Sequence, residues 1–341
     1  MSSAASVITG RTPTVAAVGC GYWGKNIVRN FAELGALRAV SDADPDIAAK
    51  FSRQYNVPAL SLPEIINDDA FEGVAFASPA RLHVEHAGAA LKAGKHVLVE
   101  KPMALSLPEG RALARLADQR GRILMVGHLL HYHPIVLKLL ETIHSGRLGE
   151  VKHIHATRLN LGKVRMREDV IWSFALHDLS VILAIFDELP TRVSVEADAI
   201  INPRISDIAT IHLKFPQGAT ARINVSWLNP YKEQRMSVIG SKAHAVFDDL
   251  TKWENKLAIF DHRIEERNGR PEAVKAVPIH VQVEEREPLR EECAHFLHSI
   301  AAGTVPRTDT REALRVLAVL EAASQSLKKG EPVTPVAASD A

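Results

Sequence analysis

The run Thr14-Val15-Ala16-Ala17-Val18 leads without a break into Gly19-x-Gly21-x-x-Gly24, and this junction constrains the chain more than any other. A short continuous apolar run of this kind reads as a strand buried on both faces. The glycines that follow permit a tight turn, close backbone approach to a pyrophosphate, and close packing of the next helix on the sheet. Asp42 comes about twenty residues further on, after a second apolar run at 37–40, where an acidic side chain accepts hydrogen bonds from a ribose. Its carboxylate repels a 2′-phosphate, and Ser41, Ala43 and Asp44 offer no arginine to hold one, so the expected cofactor is NAD rather than NADP. The plainer reading of Asp42 is a cap on the helix that follows.

The alternation of strand and helix continues. Strands are expected at 73–77, ending at Ser78-Pro79, then at 96–99 and 123–126, with helices at 82–93 and 107–119 between them. The segment Val97-Leu98-Val99-Glu100-Lys101-Pro102 places a cation at the carboxyl end of a strand, where ligands sit in open α/β sheets. After His128 the pattern changes. A helix at 134–145 gives way to runs of period two, with Ala209, Ile211, Leu213 and Phe215 on one face and Thr210, His212 and Lys214 on the other. Pro216-Gln217-Gly218 reads as a hairpin turn into a strand where Ala221, Ile223, Val225 and Trp227 alternate with Arg222, Asn224 and Ser226. Further strands are expected at 151–158, 192–200, 236–239 and 256–260, and closing helices at 289–302 and 311–327. The expected fold is an α/β Rossmann domain over 12–128 and an α+β domain over 129–332 with a large, mostly antiparallel open sheet.

The remaining composition narrows the function. A chain of 341 residues with a formal net charge of +1 gives no basis for a nucleic-acid or anionic-membrane partner. Two cysteines, Cys20 and Cys293, exclude a disulfide framework, and Cys20 is simplest as a small residue in a tight turn. No run approaches the length of a membrane span, and residues 1–13 lack a signal-type apolar core, so a soluble, cytoplasmic location is expected. The Pro- and Ala-containing tail at 331–341 is expected to fray. His128, His131 and His133 come without clustered carboxylates or cysteines, and no metal is expected there.

On the GCGYWG loop, Glu100-Lys101-Pro102, the Gly127-His128 step and Trp172-x-x-x-x-His177-Asp178, the chain resembles the Gfo/Idh/MocA family over nearly its whole length. Within that family it is most similar to the branch acting on nucleotide-linked amino sugars. That likeness rests on Arg158-Leu159-Asn160-Leu161-Gly162 and Ser226-Trp227-Leu228-Asn229-Pro230. One departure matters: Ser173 stands where the family pattern has Asp, four residues before His177 on a helix. A serine cannot stabilise an imidazolium by charge, and Asp169, one turn further back, is the candidate substitute.

The resemblance implies a dehydrogenase with Lys101 and His177 as catalytic residues. His177 is suited to take a hydroxyl proton and Lys101 to stabilise the developing alkoxide or relay the proton. It implies cofactor contacts from Gly19, Gly21, Tyr22, Trp23, Gly24, Asp42, Ser78, Pro79, His83, Glu100 and Lys101. Substrate contacts are expected from Lys101, Arg158, Asn160, Arg165, Trp172, Ser173, His177, Trp227, Lys232 and Arg235. Arg158 and Asn160 share one strand face, and Trp172 and Trp227 either cover a ring or pack in the core. The implied reaction is oxidation of the 3-hydroxyl of a UDP-N-acetylhexosamine, first UDP-N-acetylglucosamine. The 3-keto product would feed an aminotransferase in lipid A or surface-polysaccharide synthesis. The alternatives are the corresponding uronate, a free sugar or inositol, and a dinucleotide-binding regulator without turnover. An open sheet with one uncovered face further suggests a homodimer or homotetramer.

Overall fold

Strand β1 (Val15–Val18) is buried along its whole length and opens a five-stranded parallel sheet. It is followed by α1 (Gly24–Glu33), β2 (Leu37–Ser41), α2 (Pro45–Tyr55) and the short α3 (Leu62–Asn67). Next come β3 (Gly73–Phe76), α4 (His83–Lys92), β4 (His96–Glu100), α5 (Leu107–Arg120) and β5 (Leu124–Gly127). Side chains fix several of these boundaries. Asp44 accepts from the N–H groups of Asp46 and Ile47 ahead of α2, and Ser61 with Glu64 forms a capping box on α3. The sheet order is β2-β1-β3-β4-β5. Winding reverses between β1 and β3, and ligands of such sheets lie beyond the carboxyl ends of the strands at that point.

The computed structural model describes residues 11–162, 164–166 and 168–336. The chain forms two units: one holds residues up to Tyr132 together with Glu287–Leu317, the other His133–Arg286 and the chain from Ala318. The second unit begins with α6 (Pro134–His144) and β6 (Val151–Leu161), then a π-helical turn at Ile171–Ala175 that runs into α7 (Leu176–Phe186). The strands β7 (Arg192–Asp198), β8 (Ile208–Lys214), β9 (Thr220–Ser226), β10 (Leu228–Gly240), β11 (His244–Asp248) and β12 (Leu257–Phe260) follow. A separate charged hairpin, β13 (Arg263–Arg267) with β14 (Arg270–Val274), precedes the two-residue β15 (Ile279–His280).

The eight-stranded sheet has the order β15-β12-β11-β10-β6-β9-β8-β7. Every neighbouring pair is antiparallel except β6 and β9, which run parallel. Its inner face buries Ile154, Ala156, Ala209, Ile211, Leu213, Ala221, Ile223 and Val225, with α7 packed on β6 and β9. The outer face carries the polar half of the period-two pattern. The turn at 216–218 joins β8 to β9 as a hairpin, as its sequence suggests. Strand β10 is far longer than 236–239, because a bulge between Leu228 and Glu233 absorbs the residues that interrupt the alternation.

The chain then returns to the first unit. Helix α8 (Pro288–Ala302) and the first part of α9 (Thr310–Lys329) belong there, so a single boundary at 128/129 does not describe the molecule. The reason is burial. Leu289, Cys293, Phe296 and Leu297 share a core with Val15, Val28 and Phe31, and the Phe31 and Phe296 rings meet edge to face at 6.3 Å. Helical periodicity shows that α8 has an apolar face but not which sheet that face covers. The loop before α9 also covers the edge of β5, where Val126 N–H donates to the Thr308 carbonyl at 2.9 Å.

The three histidines near 130 have separate structural duties. His128 and His131 face Glu312 at 2.5 and 3.4 Å. Burial alone would raise Glu312, but the two facing imidazoles override it and hold the carboxyl at about 2. His133 instead accepts the Ile135 N–H at the start of α6. Among the described residues, no group of three or more His, Cys, Asp or Glu side chains could hold a metal ion, and no helix is long and apolar enough to cross a membrane.

Two further histidines of the first unit set an acid limit. Burial, helped by Arg122 at His96 and by Arg307 at His295, lowers both rings to about 4. Between pH 6.5 and 4 the unfolded chain therefore binds protons that the folded chain refuses, and stability falls with acidification across that window. Each ring contributes at most about 1.4 kcal/mol per pH unit, less for its partial exposure. The melting temperature should drop from pH 7 to pH 5, and His295→Gln should flatten that drop; an equally steep decline in the variant would refute the assignment.

Candidate active site

Main-chain crowding builds the cofactor end of the first unit. A Cβ on Gly24 would sit 1.8 Å from the Gly19 carbonyl oxygen, and one on Gly19, whose φ is +90°, would lie 2.8 Å from Ala77. The start of α1, the end of β1 and the segment after β3 thus meet backbone to backbone. Gly21 differs, because a Cβ there would meet nothing within 4 Å. No side chain caps α1. An open glycine before an uncapped helix N-terminus is a cradle for a phosphate, and the residues present fit a dinucleotide.

Asp42, just past β2, is fastened to this loop. Its Oδ2 accepts the Cys20 N–H at 2.6 Å and its Oδ1 the Asp44 N–H at 2.9 Å. Capping of α2 falls to Asp44, which leaves Asp42 positioned by the loop and not committed to the helix. Burial, with the Asp42 carboxylate adding to it, pushes the Cys20 thiol up to about 12. Cys20 is therefore an inert space-filler, as its place in the turn suggests.

Trp23 and Glu100 are joined across the sheet, the indole N–H donating to Glu100 Oε1 at 2.5 Å. Tyr22 is exposed. Lys101 leaves β4 with its N–H donating to Glu100 Oε2 at 3.3 Å. Burial raises Glu100, with Lys101 and the indole pulling the other way. Burial and the Glu100 charge raise Glu292 on α8 well above its ordinary value, and its Oε1 has no hydrogen-bond partner. Glu292 carries no local motif, and only its place in the fold exposes it.

His83 is held by main-chain carbonyls on both sides of its ring. The side chain is buried, with Nδ1 2.7 Å from the Pro102 carbonyl and Nε2 2.8 Å from the Ser78 carbonyl. Its ring is a strut between the segments after β3 and β4. Ser78 itself meets His86 through Oγ, and Pro79 is exposed beside it.

In the second unit, Arg158 and Asn160 lie on the inner face of β6, as the alternation implies. Arg158 is committed to Asp178, with Nε to Oδ2 at 2.7 Å and Nη2 to Oδ1 at 3.1 Å, both side chains largely buried. This paired contact anchors α7 to β6 and fixes the turn that carries His177. Asn160 keeps its Oδ1 buried and without a partner among the described residues. His177 is half-buried, and its carbonyl accepts the Ser180 hydroxyl. Ser173 is buried in the π-helical turn that runs into the helix of His177. Asp169 accepts the Trp172 N–H through Oδ1 at 3.0 Å and caps the turn. Burial raises its pKa.

Three expected substrate contacts need correction or qualification. Trp227 is 0% exposed, donates to Asp207 Oδ1 at 2.5 Å and packs on Phe174, so it is core. Arg235 sits on the outer face, paired in register with Thr157, opposite the face of Arg158 and Asn160. Trp172 is only partly buried, but its indole N–H is taken by Ser324 at 2.9 Å. Arg165 pairs with Glu168, and Lys232 projects from the β10 bulge.

A glycine-loop sheet with an Asp-fastened cradle defines a nicotinamide-dinucleotide oxidoreductase, and sequence comparison agrees. Residues 14–128 match the oxidoreductase family with an NAD-binding Rossmann fold, and residues 136–246 match the GFO/IDH/MocA C-terminal domain. The chain belongs to the Gfo/Idh/MocA family. It is 26% identical over 302 residues to the UDP-N-acetylglucosamine 3-dehydrogenase of Acidithiobacillus ferrooxidans, covering 88% of this chain and 93% of that one. A solved structure of the Acidithiobacillus ferrooxidans dehydrogenase aligns at a TM-score of 0.81 and 26% identity, over 92% of this chain and 96% of that one. The aldose-aldose oxidoreductase of Caulobacter crescentus shares the fold at a TM-score of 0.82 and 23% identity, over 95% of this chain and 100% of that one.

The open space at Gly21 gives a direct test of the cradle. Gly21→Ala should melt within about 1 °C of the parent, because the methyl group meets no chain atom, yet lose at least about tenfold in dinucleotide affinity by fluorescence titration. Unchanged affinity would remove Gly21 from the cofactor site.

Proposed function

We propose that this protein is an NAD-dependent dehydrogenase that oxidises the 3-hydroxyl of a UDP-linked N-acetylhexosamine, with UDP-N-acetylglucosamine the first candidate. The observation that carries this reading is the likeness, along nearly the full length of both chains, to a UDP-N-acetylglucosamine 3-dehydrogenase. The fixed Asp42 carboxylate supports NAD over NADP, since it would face a 2′-phosphate with like charge. The partnerless Asn160 Oδ1 supports a ligand rich in hydroxyl or amide donors, because a buried orphan oxygen costs about 1–3 kcal/mol until something donates to it.

The bound nicotinamide would accept hydride from the sugar carbon. In the second unit His177 would take the hydroxyl proton as the C–O bond becomes a carbonyl, and in the first unit Lys101 is the cation suited to stabilising negative charge that builds in the reaction. Asp42 holds the adenosine ribose, and the loop N–H groups hold the pyrophosphate. Arg165 and Lys232 supply positive charge for the substrate diphosphate. A 3-keto product of this kind suits an aminotransferase as the next enzyme.

The test is NAD reduction followed at 340 nm, with UDP-N-acetylglucosamine and its uronate offered in parallel and an aminotransferase present to pull the equilibrium. Turnover on the first sugar is expected. His177→Ala should lower kcat by about 10²–10⁴-fold with NAD affinity unchanged. Asp42→Ala should narrow the preference for NAD over NADP. Bound NAD without turnover on either nucleotide sugar would overturn the reading.

A further inference from the structure

Helix α8 meets the first sheet along the stripe Leu289, Cys293, Phe296 and Leu297, and one acidic residue lies inside that stripe. Glu292 is one helical turn from both Leu289 and Phe296 and is 1% exposed. The sheet face that α8 covers can be followed strand by strand. Leu98 of β4 and Met125 of β5 belong to the same core as α8. Alternation puts Glu100 and Gly127, the next residues of matching parity, on that face as well. Glu100 and Gly127 are paired in register, and a Cβ on Gly127 would come within 3.1 Å of Glu100 Oε1. The Glu100 carboxyl thus lies across β5, in space that a side chain at 127 would fill. Two carboxyl groups, one from β4 and one from α8, share the end of this core.

Their surroundings differ. Glu100 accepts the Trp23 indole N–H and the Lys101 main-chain N–H. Glu292 has nothing comparable, since among the described residues its Oε1 has no hydrogen-bond partner. The Tyr132 hydroxyl, near enough to interact electrostatically with Glu292, is engaged by Thr308 Oγ1 at 3.0 Å and Met125 Sδ at 3.8 Å. An ionised carboxylate is costly to bury without donors, and a second carboxylate close by adds to that cost. Burial and the Glu100 charge accordingly raise Glu292 well above its ordinary value. A carboxyl that keeps its proton gains a donor, and Glu100 is the anion at this end of the core. Packing alone does not call for an acid here, because leucine or methionine would fill the same stripe.

We propose that Glu292 is a positioning residue of the cofactor end, an acid on α8 that gives Glu100 a hydrogen bond and so holds it for the Trp23 indole and the Lys101 main chain. This rests on the dinucleotide reading of the glycine loop and not on the identity of any sugar. Trp23 stands at the head of α1, immediately before Gly24, so an indole pinned on Glu100 fixes the residue beside the phosphate cradle. With a further donor Glu100 stays ionised next to Lys101. Two carboxyls carrying one proton leave this end with a single negative charge. Glu292 acts through Glu100 and needs no contact with the dinucleotide.

The experiment compares full-length Glu292→Leu and Glu292→Gln proteins with the parent. Each is labelled with 5-fluorotryptophan, and the Trp23 signal among the four tryptophans is assigned with Trp23→Phe. Leucine fills the space but removes the donor. That variant should melt no lower than the parent, because an apolar group replaces a buried acid without partners. It should nevertheless shift the Trp23 fluorine resonance, with the other tryptophans unmoved, and weaken NAD binding at least about fivefold by calorimetric titration. Glutamine keeps a donor at the same place and should restore both the resonance and the affinity. A parent-like Trp23 resonance in the leucine variant overturns the inference, and so do equal losses in the two variants. A parent that binds no NAD would overturn the cofactor reading instead, and the Trp23 resonance would still decide whether Glu292 holds Glu100.

Discussion

A hydrogen atom where any other residue has a methyl group decides the cofactor end of the molecule. Because a Cβ on Gly24 would lie 1.8 Å from the Gly19 carbonyl oxygen, only glycine lets α1 start directly on top of the end of β1. Gly19 in turn lies against Ala77, which brings the segment after β3 level with the loop. His83 carries the contact onward, from the Ser78 carbonyl to the Pro102 carbonyl beside Lys101. Asp42 is tied in through Cys20. Every link has a main-chain group on at least one side, so side-chain substitution can retune this end far more easily than it can rebuild it.

The second unit positions its candidate groups by charge. The Arg158–Asp178 pair is nearly dry, and removing either partner leaves a buried charge at a cost of about 3–5 kcal/mol. The Asp of the His-Asp step thus holds the helix in place, and its neighbour His177 inherits a fixed position. Ser173 in the family's Asp position removes a second carboxylate from the same turn.

Much of this was legible in the sequence, because the signals were local. The glycine loop, the alternating strands and the 216–218 hairpin all declare themselves within a few residues. Ranges failed where tertiary contact decided them: β10 extends through a bulge, and α8 belongs to a sheet whose last strand ends at Gly127. Site residues divided in the same way. Arg158 and Asn160 follow from alternation, and Arg235 falls on the wrong face because the β10 bulge lies between it and Trp227. Trp227 was ambiguous for the reason any tryptophan is, since its ring suits a ligand or a core equally well. His83 has one of its two carbonyl partners 19 residues away at Pro102, and Glu312 meets the His128 ring 184 residues away, and no spacing rule could pair them.

The return of α8 to the first unit also orders the life of the chain as it is made. The five strands of the first sheet are complete by Gly127, but the face that Phe296 and Leu297 cover stays uncovered until the ribosome has passed residue 297. In the interval the whole His133–Arg286 segment is synthesised and has its own sheet to form. The nascent first unit thus waits with apolar surface open, and surface of that kind is prone to aggregation until it is covered. A transcript cut short anywhere in the second unit would yield a dinucleotide sheet that cannot close.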